Sequence, residues 1–242
     1  MRVALISDLH GSELALNAVL ADIARTGVDQ ILCLGDVATL GPRPRDVLGR
    51  LAELNCICIL GNHDEFMLDA GLLQSYSEVP IIVEAVDWCR AELSAAELEF
   101  IGSFQRRFEL SLNGSGNLLL FHGTPESNTT DLLSTTPAEH VDELLAGRRA
   151  TVMACGHTHI QMLRQHRGTL IVNPGSVGLA FKEYVSGSAP VLLAHAEYAM
   201  IEAVEGDVSV HLRRVALDKA ELRQAAGAVD HPLKAWLTQM YS

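Results

Sequence analysis

Five short stretches carry the side chains in this sequence best suited to holding a metal ion: Asp8-Leu9-His10, Gly35-Asp36, Gly61-Asn62-His63-Asp64, His122-Gly123 and Gly156-His157-Thr158-His159. Five of the ten histidines fall inside them. Carboxylate, carboxamide and imidazole together form a hard-to-borderline donor set that suits Mn, Fe, Zn or Ni better than a thiolate site would. Each stretch alone is weak, because most polar loop residues are simply solvated. The signal is joint: every stretch follows an apolar run, and His and Asp gathered at strand ends read as a site.

Those apolar runs are the elements that must position the donors. Val3-Ala4-Leu5-Ile6 reads as a buried strand, and alternation along it puts Asp8 and His10 on the same side. Apolar residues at Leu14, Leu16, Ala18, Val19, Leu20 and Ile23, with Gly27 beyond, predict a helix over 12–25. Residues 30–34 and 55–60 read as further strands, separated by a turn at Gly41-Pro42-Arg43-Pro44 and a helix over 45–54. Two strand–helix alternations and a strand point to α/β architecture with a parallel segment. Open sheets of that kind place their sites at the carboxyl ends of strands.

Over 65–108 the metal-binding vocabulary stops. Residues 84–102 read as helical with a break at Ser94, where Glu97 gives capping-box spacing. This stretch is expected to be a helical excursion that packs beside the site within one domain spanning 1–242. Residues 106–112 and 117–121 form a hairpin around Asn113-Gly114-Ser115-Gly116. A helix over 137–147 starts at a proline and ends at a glycine. Residues 151–155 make another buried strand. Strands are expected over 160–165, 169–172, 191–195, 198–204 and 208–217, and short helices over 219–226 and 233–240. This tail shows no legible chemistry.

Composition narrows the function classes. A chain of 242 residues, nearly half of them hydrophobic, buries a full core. The formal charge of −12 and the scarcity of aromatics disfavour a broad grip on extended nucleic acid. The opening apolar run is too short for a signal peptide and is cut by Asp8 and His10. No stretch approaches the length of a membrane span. Cys33, Cys56, Cys58, Cys89 and Cys155 are odd in number and mostly lie in apolar runs, which suits buried thiols in a reduced cytoplasm.

The order Asp-x-His, Gly-Asp, Gly-Asn-His-Asp, His-Gly, Gly-His-x-His resembles the signature of the calcineurin-like metallophosphoesterase superfamily. Asn173-Pro174-Gly175-Ser176, the helical excursion and the overall size resemble its small bacterial phosphodiesterase branch. The resemblance implies a four-layer α-β-β-α sandwich of two mixed sheets and two divalent metals, with Mn favoured. It implies that Asp8, His10 and His159 bind one metal, that Asn62, His122 and His157 bind the other, and that Asp36 bridges them. His63 is the implied catalytic residue outside the ligand set, with Asp64 orienting its imidazole. The implied reaction is hydrolysis of a small phosphate ester, a diester by preference, through in-line attack of a metal-bridging hydroxide.

Alternatives remain at this point: a catalytically silent metal-binding scaffold, a dinucleoside polyphosphate hydrolase, or a protein phosphatase. The last is disfavoured because the Asp36 loop continues Val37-Ala38-Thr39-Leu40, with no arginine before Arg43. Arg43 and Arg45 are candidates to reach a substrate phosphate, and Asn173 and Ser176 to support the donors. The Ser- and Thr-rich segment 124–136 reads as a loop over the site. His140, His166, His195, His211 and His231 read as surface or packing residues. Oligomeric state is not legible.

Overall fold

The computed structural model describes residues 1–76, 79–185 and 187–242. Residues 77 and 78 of the expected excursion lie outside the described residues. The first strand, β1 (Arg2–Ile6), shows how the layers arise. Its side chains alternate between two cores. Ala4 and Ile6 join a cluster with Leu16, Val19 and Ile23 of helix α1 (Glu13–Thr26). Val3 and Leu5 join a second cluster with Leu118, Leu120, Val152, Ala154 and Val172, which belong to another sheet. A strand buried on both faces must be apolar at successive positions, and this one is.

Parallel neighbours β2 (Gln30–Cys33) and β3 (Ile57–Cys58) extend β1 on one side, with α2 (Pro44–Glu53) between them in sequence. The second sheet is built from β4 (Phe108–Ser111), β5 (Asn117–Leu120), β6 (Val152–Ala154), β7 (Met162–His166) and β8 (Thr169–Asn173). Long antiparallel strands β9 (His195–Val204) and β10 (Asp207–Ala216) close the first sheet on the far side of β1. Among the described residues the strand orders are β10-β9-β1-β2-β3 and β4-β5-β6-β8-β7. Outside the second sheet, Val141 and Leu145 at α7 (Ala138–Leu144) pack on Phe121, Met153 and Ile171. The result is the expected α-β-β-α sandwich of two mixed sheets.

Helices α3 (Asn62–Leu68), α4 (Ala70–Tyr76), α5 (Pro80–Glu92) and α6 (Ala95–Gly102) fill the excursion. The Ser94 hydroxyl accepts from Glu97 N, and the Glu97 carboxylate accepts from Ser94 N, so the capping box forms. Phe66, Leu73, Val86, Cys89 and Ile101 share the core cluster of α1 and α2. The C-terminal helices α8 (Lys219–Gly227) and α9 (Lys234–Met240) add Leu222, Leu237 and Tyr241 to that cluster.

Three expectations change. The strand over 55–60 shrinks to Ile57–Cys58 and one bridge from Ile59 to Gln105, because Asn55 turns with a φ of 49°. Residues 191–194 do not enter a sheet: Lys182 N donates to Val191 O, and Leu193 N donates to Ala180 O, so the segment pairs locally. Asn62, His63 and Asp64, expected just past the end of a strand, open helix α3.

Leu5 is fully buried between the sheets, whereas Leu163 on β7 is 49% exposed. Urea unfolding of Leu5→Ala is expected to show a loss of about 2–5 kcal/mol. Leu163→Ala should stay within about 0.5 kcal/mol of the parent. Equal losses would contradict the placement of β1 between the two cores.

Candidate metal centre

The donors do not sit on strands. Asp8, His10, Asp36, His157 and His159 all have left-handed backbone, with φ of 54°, 44°, 57°, 69° and 57°. Such φ is uncommon for residues other than glycine and persists only where surrounding structure enforces it. The enforcement is visible. Asp8 N donates to Gly35 O (2.9 Å), His10 N to Asp36 O (3.0 Å) and Gly11 N to Val37 O (2.8 Å). Gly178 N and the Ser176 hydroxyl both donate to Asp8 O. Asn173 Nδ2 donates to Gly156 O at 2.7 Å and to the Thr158 hydroxyl. Asn173 and Ser176 therefore support the donor loops through the backbone.

The loops converge as two groups, Asp8–His10–His159 and Asp36–His122–His157, each within ligand-to-ligand range of a single cation. Asn62 joins the second: its Oδ1 lies 3.1 Å from His122 Nε2 and 3.0 Å from His157 Nδ1. Asp36 Oδ2 lies 3.3 Å from His122 Nε2 and 3.9 Å from His10 Nε2, so it faces both groups.

The chemistry of these contacts fits a cation. His122 Nδ1 donates to Leu34 O (2.6 Å), and His159 Nδ1 donates to Leu179 O (2.7 Å). In the neutral rings each Nε2 is then a bare lone pair. His159 Nε2 points its lone pair at His10 Nε2, 3.1 Å away, and His122 Nε2 faces the Asn62 and Asp36 oxygens. Asp8 Oδ1 and Asn62 Nδ2 are buried with no hydrogen-bond partner. A gathering of imidazole nitrogens with carboxylate and amide oxygens, one carboxylate oxygen among them orphaned, is a donor set that a cation would satisfy.

Burial sets the titration of these groups. It pushes Asp8 and Asp36 up to about 7; nearby His122 and His157, respectively, oppose the shift. Burial pushes His159 down to about 4 and His10 well below its ordinary value, the latter reinforced by His159 and His63. His63 falls to about 3, from burial first and then from the neighbouring histidines.

His63 lines the cleft above the two groups, its ring 5.1 Å from His10 and 5.2 Å from Phe66. Asp64 does not orient it. The Asp64 carboxylate instead accepts from Gly61 N, Asp36 N and Val37 N at 2.8–2.9 Å, and His63 Nδ1 is left without a partner. At the third position of α3, Asp64 folds back onto its own helix start and clamps the Asp36 loop. Arg45 is also removed from the candidates, since its guanidinium pairs with Glu97 (3.0 Å). Arg43 lines a neighbouring cavity with Ser12 and Tyr241, not the His-rich cleft. His166 pairs with Asp142, His195 with Glu197 and His140 with Glu143, while His231 packs on Trp88. All five cysteines are free, and none belongs to the donor groups.

Sequence reasoning missed Asp131. Its Oδ1 lies 3.5 Å from His157 Nε2, and its Oδ2 accepts from Tyr184 Oη (2.5 Å). Nothing in a Ser- and Thr-rich loop marks one aspartate as the partner of a histidine 26 positions on. The tail also contributes, because Leu233 and Trp236 line the same cleft.

Residues 1–197 match the family model of the calcineurin-like phosphoesterase superfamily domain. An uncharacterized protein of Methanocaldococcus jannaschii is 28% identical over 177 residues, covering 73% of this chain and 70% of that protein. Among solved structures, a metallophosphoesterase from Sphaerobacter thermophilus superposes with a TM-score of 0.74 at 24% identity, covering 99% of this chain and 98% of the other. A hypothetical protein from Pyrococcus horikoshii gives a TM-score of 0.78 at 17% identity, covering 99% and 97%. At these identities the structures establish the shared fold.

Two outcomes are expected from this geometry. Without metal, Asp8 and Asp36 keep protons up to about pH 7, so cation uptake must displace them. Mn²⁺ affinity should therefore rise from pH 6 to pH 8, with proton release at pH 6 detectable by calorimetry in two buffers of different ionisation heat. Their folded pKa values lie above the unfolded 3.8, so their contribution to metal-free stability is lost as pH rises through about 7. The depressed His10, His63 and His159 act in the opposite sense, their stabilisation growing as pH rises across the unfolded 6.5. Second, Asp131→Asn should weaken metal binding by about 10–100-fold, the usual effect of removing a carboxylate that orients a ligand histidine. Unchanged binding in a metal titration would remove that role.

Proposed function

The chain belongs to the calcineurin-like phosphoesterase superfamily, and from that premise we propose that it is a dinuclear metal-dependent phosphodiesterase. Asp8, His10 and His159 would hold one divalent cation, and Asn62, His122 and His157 the other. The observation that carries this reading is the Asp36 carboxylate, whose Oδ2 faces His122 of one group and His10 of the other. One bridging carboxylate between two histidine-bearing groups is how a paired metal site is built. Manganese is the favoured metal, with iron, zinc and nickel compatible with the same donors.

Bound cations supply charge against the phosphate oxygens and make hydroxide available near neutral pH for in-line attack. The chain's own residues do the rest. Asp36 is held rigidly: its Oδ1 accepts from His63 N, and its loop hangs on Asp64. His63 stays neutral at pH 7, so its role is to donate an imidazole N–H to a phosphate or leaving-group oxygen rather than to act as an imidazolium. A substrate reaches it through the cleft bounded by Leu40, Thr129, Phe181 and Tyr184.

The complete donor set and an unligated histidine beside it argue against a silent scaffold. The preference for diesters follows the resemblance to the small bacterial branch. A cytoplasmic location is the reading that the unpaired cysteines support. No helix among the described residues is long and apolar enough to cross a membrane.

The test is hydrolysis of bis(p-nitrophenyl) phosphate and p-nitrophenyl phosphate by Mn-loaded protein. The diester should be preferred. His63→Ala should lose about 10²–10⁴ in kcat, the range for a positioned proton-transfer or hydrogen-bonding group, while keeping its metal content. A His63→Ala variant as fast as the parent would remove that residue's role, and inertness toward both esters with Mn, Fe, Zn and Ni would sink the hydrolytic reading.

A further inference from the structure

The cleft over the two donor groups has an uneven chemistry. Its lining includes four aromatic side chains, Tyr76, Phe181, Tyr184 and Trp236, together with aliphatic Ile82 and Leu233. Tyr76 is 46% exposed and Tyr184 39%, so both present ring surface to solvent. No Lys or Arg lines the cleft among the described residues, and its carboxylates are Asp36 and Asp131. The chain as a whole carries a formal charge of −12.

Two of these rings, Tyr76 and Phe181, are joined to the donors by a continuous series of ring contacts. Tyr76 meets Phe66 (5.2 Å), Phe66 meets His63 (5.2 Å), His63 meets His10 (5.1 Å), His10 meets His159 (4.9 Å), and His159 stacks on Phe181 (4.2 Å). Tyr76 and Phe181 therefore end a row of rings that runs through the site. Trp236 comes from α9, beyond the 1–197 region that matches the family model. Part of this aromatic wall is thus built by the tail that the sequence left without a role.

We propose that the cleft selects a phosphodiester bearing one planar, uncharged ring, such as a nucleobase, and disfavours substrates that carry a further phosphate. The proposal rests on the phosphodiesterase reading and narrows its substrate class. The phosphate sits at the donor groups, and the ring packs against the aromatic wall, where stacking is tolerant of ring identity. A cavity of about 370 Å³ is at the small end of ligand sites, which suits one ring and one phosphate rather than a polymer. A second phosphate held in this cleft would find the Asp131 carboxylate and no side-chain cation among the described lining residues, so polyphosphates are placed outside the preferred class.

Esters sharing p-nitrophenol as leaving group separate these effects from intrinsic reactivity. With Mn-loaded protein at low salt, thymidine 5′-(p-nitrophenyl phosphate) should exceed methyl p-nitrophenyl phosphate at least tenfold in kcat/KM. Adding a 3′-phosphate to the thymidyl ester should cost at least tenfold, and Thr129→Lys should recover at least fivefold of that loss. Tyr76→Ala and Trp236→Ala should each reduce the thymidyl-to-methyl ratio at least threefold, a ratio that general misfolding does not change. Calorimetry gives a second readout: thymidine 5′-monophosphate should bind at least tenfold more tightly than methyl phosphate. A thymidyl-to-methyl ratio near one, or a faster 3′-phosphorylated ester, would overturn the ring preference and leave hydrolysis standing. Inertness of all the esters would overturn hydrolysis, and calorimetry would then decide ring binding by itself.

Discussion

Two neutral imidazoles whose Nε2 atoms stand 3.1 Å apart, His10 and His159, impose the central constraint on this molecule. His159 cannot turn its proton inward, because its Nδ1–H is committed to the Leu179 carbonyl. The same holds for His122, committed to Leu34 while its other nitrogen faces Asn62 and Asp36. Nitrogen and oxygen lone pairs gathered in a buried space are costly unless a proton or a cation stands between them. Burial alone drives carboxylates toward the protonated form and histidines toward the neutral one, and the directions at Asp8, Asp36, His10 and His159 all follow that rule. A divalent cation bound there would take the place of those protons.

Holding these donors together requires rigid surroundings, and the layered architecture supplies them. The donor loops leave β1, β2, β5 and β6 at corresponding ends, where the two sheets face each other across the Leu5–Leu120–Val152 core. Left-handed backbone at five donor positions costs of order 1–3 kcal/mol each in general. Backbone hydrogen bonds between neighbouring loops offset that cost, with Asp8 braced by Gly35, Ser176 and Gly178 at once. Glycine is required where loops touch: a Cβ on Gly41 would collide with His10 O, and one on Gly156 with the Ser7 hydroxyl. Loss of one loop would therefore loosen several donors together.

The sequence made the donor identities and the layered fold legible because both are carried by local patterns. Apolar runs such as Val3 to Ile6 mark strands, and Asp, Asn and His cluster just beyond them. What it hid depends on direction in space. Strand alternation explained Asp8 and His10 for the wrong reason, since each is turned inward by positive φ rather than by a pleat. Asp64 adjoins His63 in sequence, yet at the third position of a helix its carboxylate returns to the amide of Gly61. Asp131 and Trp236 were invisible because their partners lie far along the chain and their local contexts, a polar loop and an amphipathic helix, are common.

That far-flung contribution bears on how the site divides its labour. The candidate donors come from loops at strand ends, and on the proposed reading they would set what bond is attacked. The cleft wall comes from α4, the loop after β8 and α9, elements that touch the core with one face and the cleft with the other. Leu233 shows the double duty: it is 4% exposed, belongs to the main core cluster and still borders the cleft. Because a packed core is not continuously deformable, the position of the aromatic wall is tied to the stability of the outer helical layer. On the proposed reading, specificity would follow from the peripheral helices and reactivity from the facing edges of the two sheets.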